Sequence, residues 1–250
     1  MKHCIYIILI LVLGQCSISS QKTTYTTSPQ LQRNIDDSYS TKNCFASTKI
    51  DSIFKHNKKA RKAYPPRISD EDYDSLNDQD KIIYALEHPE SYYQICSLPT
   101  NPKKTGTKLM ANLPMSFDEV GISRKQRNYL ENHRDSTIVY LNNCINQSVY
   151  VSRQYKELIL TFNFYECVPT LIKKIEQPEQ YDTQILTTLM LLMKYDKYPS
   201  FLESKIYEKL YIPKKGEEYI DRKSSIPKSD KKIQEIIGFA NAFYQEKMKK

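Results

Sequence analysis

Tryptophan is absent from this chain, and glycine occurs only 5 times in 250 residues. So few glycines leave no Gly-rich loop of the Walker or dinucleotide-binding type to cradle a phosphate. They also disfavour β-rich folds, whose tight turns draw on glycine. Without indoles, a sugar-binding groove would have to stack on some of the 20 tyrosines. No GxSxG elbow occurs, and Glu87-His88-Pro89-Glu90 is not the HExxH zinc motif, which needs its two histidines four residues apart on one helix face. Apolar residues make up 40%, below the globular norm. What remains plentiful is Lys, Glu, Gln, Leu and Ile, a composition that favours helices.

One uninterrupted apolar run is present, at residues 4–13, just after Lys2. It is too short to span a bilayer but suits the hydrophobic region of a secretory signal over residues 1–20. Two endings compete. Leu13-Gly14-Gln15-Cys16 has the outline of a bacterial lipobox, making Cys16 a candidate lipidation site, although Gln15 stands where a small residue is usual. The alternative is cleavage after the Ser-rich residues 17–20, with Gln21 starting a soluble mature chain. Both endings predict an exported bacterial protein, periplasmic, secreted or held at the membrane as a lipoprotein.

Export changes how the cysteines and charges are read. Cys44, Cys96, Cys144 and Cys167 are candidate disulfide cysteines with three possible pairings. Their spacing matches no zinc or CxxC pattern. Cys144 falls on the stripe Ile138, Leu141, Cys144, Ile145, which favours buried free thiols over a bridge. The formal charge of +8 and the cluster Lys55-His-Asn-Lys-Lys-Ala-Arg-Lys62 would suggest nucleic acid in a cytosolic protein. In an exported one they predict a solvated surface, an acidic partner or anionic headgroups beside a lipid anchor, and no nucleic acid.

No residue earns a catalytic, metal-binding or cofactor-binding role, and no cofactor is expected. A calcium loop beginning at Asp70 would need Gly at position 75 and Glu at 81; Ser75 and Lys81 stand there. The carboxylates of Asp70, Asp72, Asp74, Asp78 and Asp80 are better used at helix N-termini. A glycan hydrolase would need two carboxylates about 5 to 9.5 Å apart across a cleft, for which Glu87 and Glu119 are the best candidates. His88 and His133 each sit at a predicted helix end. The triplets Asp51-Ser-Ile53 and Asp74-Ser-Leu76 resemble a bacterial O-glycosylation motif.

The chain divides into the signal region 1–20, a polar, flexible segment 21–77 and an all-α domain 78–250. Predicted helices cover 79–87, 90–97 after Pro89, 124–133 behind the capping box Ser123-Arg-Lys-Gln126, and 136–146. They continue over 153–162, 166–175, 183–193, 199–210 and 229–248, with charged linker between 214 and 228. Residues 185–193 are apolar almost all round, which predicts a helix buried on every side. Residues 158–169 and 189–199 repeat one pattern: an apolar helix, a short turn, and a proline opening the next helix (Pro169, Pro199). This resembles HEAT or armadillo-type helical pairs over about residues 135–211. The resemblance implies a protein-binding scaffold without catalytic residues. The expectation is therefore an irregular helical bundle or short HEAT-like stack that binds another protein at the cell envelope, in the manner of an immunity protein or inhibitor. The alternative is a cell-wall or glycan hydrolase.

Overall fold

The computed structural model describes residues 44, 47–57, 60, 62–92, 107–114, 120–177, 182–213 and 224–249. The signal region, Cys16 and Cys96 lie outside these residues. The protein is mostly helical. Among the described residues there are eleven α-helices: α1 (Thr48–His56), α2 (Asp70–Asp74), α3 (Asp78–Glu87), α4 (Arg124–Asn132), α5 (Arg134–Gln147), α6 (Arg153–Thr161), α7 (Val168–Ile175), α8 (Thr183–Tyr195), α9 (Pro199–Leu202), α10 (Lys205–Tyr211) and α11 (Asp230–Lys247). Two short antiparallel ribbons accompany them. β1 (Ser91–Tyr92) pairs with β3 (Val120–Gly121), and β2 (Lys108–Met110) pairs with β4 (Ser225–Pro227).

Local chemistry sets most helix starts. Ser47, Ser69, Asn77, Ser123, Ser152, Asp182, Ser204 and Ser229 each accept a backbone N–H of the first turn through the side chain. Each such cap stabilises by about 0.5–2 kcal/mol. At Ser123 the box is complete, since the Gln126 side chain returns to the Ser123 amide. Helices α7 and α9 instead carry proline in the first turn, where the missing N–H costs nothing.

α8 is the central element. Every residue from Thr183 to Met193 is buried, and α6, α7, α9, α11 and β2 surround it. One charged pair accompanies it. Lys156 of α6 reaches Asp182, the cap of α8, at 2.5 Å, with both side chains 1% exposed. Lys156 also donates to the Gln184 side chain at 3.1 Å. The ammonium and carboxylate thus neutralise each other inside the core, which a lone buried charge could not do.

The two similar segments end in the same turn. After α6, Asn163 adopts φ 49°, the Phe164 amide donates to the Ile159 carbonyl at 2.9 Å, and the Asn163 amide donates to Leu160. After α8, Lys197 adopts φ 54°, the Tyr198 amide donates to Met193 at 2.8 Å, and the Lys197 amide donates to Lys194. Both are Schellman turns, built without the glycine such turns usually take. Arg134 clamps the first, donating to the Phe162 and Asn163 carbonyls and to the Glu166 carboxylate at 2.8–3.1 Å. Asn163 in turn donates to Asp196 of the second turn at 3.3 Å.

Several expectations are corrected by tertiary bonds. Residues 91–92 form β1 rather than opening a helix over 90–97. Glu90 is drawn inward by the Tyr84 and Ser123 hydroxyls, at 2.7 and 2.9 Å, while its amide donates to Gln126. The helix expected over 199–210 is broken at Ser204, which caps α10. Part of the supposed linker 214–228 is β4, held to β2 by its register and by the Ala111 amide donating to the Ser224 carbonyl. The described part of the segment 21–77 carries α1 and α2, with Ile50, Ile68, Tyr73 and Leu76 buried in the common core. Their spacing is too sparse to show as a stripe in the sequence.

Candidate functional site

The best titratable candidate stands at the C-terminal end of α3. Glu87 is only 6% exposed and accepts the Tyr155 hydroxyl. Burial raises its pKa above the carboxylate range, and the Tyr155 hydroxyl and Cys44 amide pull it back. Cys44 is bonded to Cys144 of α5, with Cα atoms 5.3 Å apart. The sequence leaned toward thiols; the structure pairs these two and leaves Cys167 free and buried, its pKa pushed up to about 12 by burial. A thiol so disposed is inert as a nucleophile. Glu119 lies outside the described residues. Glu87 thus works as an interior clasp for the start of the described chain, through the Tyr155 hydroxyl and the Cys44 amide.

The remaining sequence candidates take structural positions. His88 stacks on Tyr84 and lies 4.9 Å from the Phe54 ring, and burial lowers its pKa. His133 forms a hydrogen bond through Nδ1 with the Tyr129 carbonyl and stacks on the Tyr129 ring at 4.1 Å, joining α4 to α5. The acidic run is dispersed over two helix starts. Asp70 pairs with Lys125 at 2.6 Å, and Asp72 accepts Ser69 and Asn57. Asp78 accepts the Tyr129 hydroxyl and Asp80 the Ser47 hydroxyl. Among the described residues no group of three acidic, His or Cys side chains could hold a metal ion. Lys58, Lys59 and Arg61 of the basic cluster fall outside the described residues.

One hollow gathers Ser52, His56 and Asp72, the residue types of a hydrolytic triad. The geometry is wrong for it. His56 Nδ1 lies 2.8 Å from the Ser52 carbonyl, so it carries the proton and donates there. It therefore cannot accept from the Ser52 hydroxyl 3.4 Å away. Asp72 is engaged by Ser69 and Asn57 rather than by the imidazole.

The surface feature that stands out is a groove of about 680 Å³ between α3 and α5. Ile82 of α3 and Tyr140 of α5 form its buried floor, and Val139 projects into it with 60% of its surface exposed. Its rim carries Asp78 and Gln79 on one side and Asp135, Ser136 and Asn143 on the other. The lining is mainly apolar and includes no lysine or arginine. Sequence reasoning missed it because the only aromatic residues it weighed for a groove were the 20 tyrosines. Tyr73, Tyr84, Tyr140, Tyr155, Tyr198 and Tyr211 are instead buried, leaving Tyr64, Tyr92 and Tyr195 exposed. Val139, one residue off the buried stripe of α5, was the available signal.

No family model, curated protein or solved structure matches this chain.

Proposed function

We propose that this is an exported bacterial cell-envelope protein that binds another protein without catalysing a reaction, in the manner of an immunity protein or inhibitor. The groove between α3 and α5 carries the reading. Val139, exposed beside the apolar floor of Ile82 and Tyr140, supports an interaction site in this hollow. The Cys44–Cys144 bridge supports an extracytoplasmic location, since such bonds persist in oxidising compartments. Attachment is proposed to run through a signal peptide or a lipid on Cys16, with the basic cluster facing anionic headgroups. No described helix is long and apolar enough to cross a membrane. The paired Schellman turns after α6 and α8 support a short HEAT-like stack, with α8 as its core.

Site-specific photocrosslinking at position 139 in cells tests this reading. The expected result is one discrete polypeptide adduct whose purified partner rebinds wild type and not Val139→Glu. Release of soluble sugar from cell-wall glycan by the purified protein, lost in Glu87→Gln, would establish the hydrolase instead.

A further inference from the structure

We infer that the occupant of the α3–α5 groove is a basic amphipathic helix of a partner polypeptide. This inference rests on the protein-binding reading and adds the chemistry of the partner. The floor and wall, Ile82, Tyr140 and Val139, ask for two or three apolar side chains on one face, as an i, i+3, i+4 stripe supplies. The rim asks for positive charge. Asp78 on α3 and Asp135 on α5 both line the groove and are exposed, with no cation among the lining residues and, among the described residues, only the Tyr129 hydroxyl donating to the Asp78 carboxylate. Two cations borne by these same helices are engaged elsewhere. Lys81 lies over the Tyr73 ring, and Arg134 is held by Glu166 and two carbonyls.

This local sign is opposite to that of the whole chain, which carries +8. An acidic helix would be attracted by the general field but opposed at the rim. A basic helix is opposed at long range and attracted only here, so the groove confers orientation and selectivity. The N-terminal dipoles of α3 and α5 offset part of the two carboxylates' charge. The discrimination should accordingly be moderate rather than absolute. The groove is partly open to solvent, which suits a side-chain stripe inserted from a helix better than an enclosed small molecule.

The test uses the full chain and two synthetic amphipathic helices of equal length, one of Leu and Lys and one of Leu and Glu, each fluorescently labelled. Anisotropy titrations at low and moderate salt should show the Leu/Lys helix binding about tenfold tighter. Asp78→Asn/Asp135→Asn should erase that preference, and Val139→Glu should remove binding of the Leu/Lys helix. Both variants alter exposed positions, and circular dichroism checks that they fold. Equal binding of the two helices, or Leu/Lys binding unaffected by Val139→Glu, would overturn the inference. So would a dimer, by sedimentation, that Val139→Glu converts to monomer, because the groove would then hold a second copy. If photocrosslinking at 139 still yields a polypeptide while the helices are not distinguished, the occupant's chemistry fails and the binding reading survives. If the Leu/Lys preference holds but glycan is cleaved, the non-catalytic reading fails and the groove assignment survives.

Discussion

Breaking the Cys44–Cys144 bridge gives the most quantitative check on how this fold is held. The two cysteines are separated by 100 positions, so the bond closes a loop over nearly half of the chain. On the chain-entropy model, closing a loop of about that length removes unfolded-state freedom worth about 4.7 kcal/mol at 25 °C. Strain and residual denatured-state structure act against that figure, so we take about 3–5 kcal/mol. With a urea m-value near the upper end of the usual range, about 2–3 kcal/mol/M, the midpoint should fall by about 1–2.5 M. The assay is urea unfolding followed by far-UV circular dichroism, on wild type with and without a phosphine reductant and on Cys44→Ser, Cys144→Ser and the double variant. All three variants and the reduced wild type should coincide, because each removes the same single constraint. A midpoint shared by reduced and oxidised wild type would refute the argument. So would a single variant as stable as oxidised wild type, since either substitution alone removes the bond.

Three further outcomes are expected. Glu87 has its pKa raised by burial, so the folded state holds its proton more tightly than the unfolded state does. That contribution is fully present below the unfolded pKa and is lost as pH rises through the folded one; Glu87→Gln should flatten this acid-side gain in melting temperature between pH 4 and 8, and an unchanged slope would contradict it. Lys156→Met leaves Asp182 charged and enclosed, and should cost about 3–5 kcal/mol in urea unfolding, with Lys156→Met/Asp182→Asn recovering part of the loss; a cost under about 1 kcal/mol would mean that water reaches the pair. Leu189→Ala in α8, fully buried among its neighbours, should cost about 2–5 kcal/mol by calorimetry or urea titration, and a smaller value would mean that α8 is not the core.

Within the described chain, the sequence was most legible where one local rule decides the outcome. Ser123 with Gln126, Ser152, Asp182 and Ser229 open the helices that their capping chemistry predicts, because a side-chain oxygen two or three residues from an amide needs no tertiary help. The segment 185–193, apolar almost all round, predicted a helix enclosed on all sides, and α8 is that helix. Elsewhere long-range partners outweighed local preference. Residues 91–92 pair with 120–121 because Glu90 is claimed by Tyr84 and Ser123. Residues 225–227 find β2 more than a hundred positions earlier in the chain, and the Tyr211 hydroxyl fastens Ala111 beside that ribbon.

The sequence alone determined the helical character, several of the helix caps and the identity of the central helix, all of which follow from periodicity and short-range hydrogen bonding. The tertiary structure decided which cysteines meet, that Glu87 faces inward, and that Val139 remains uncovered between Asp78 and Asp135. Those outcomes depend on how helices far apart in the chain are placed side by side. No spacing within a single helix encodes that placement, because it is fixed only when all the apolar faces are buried together.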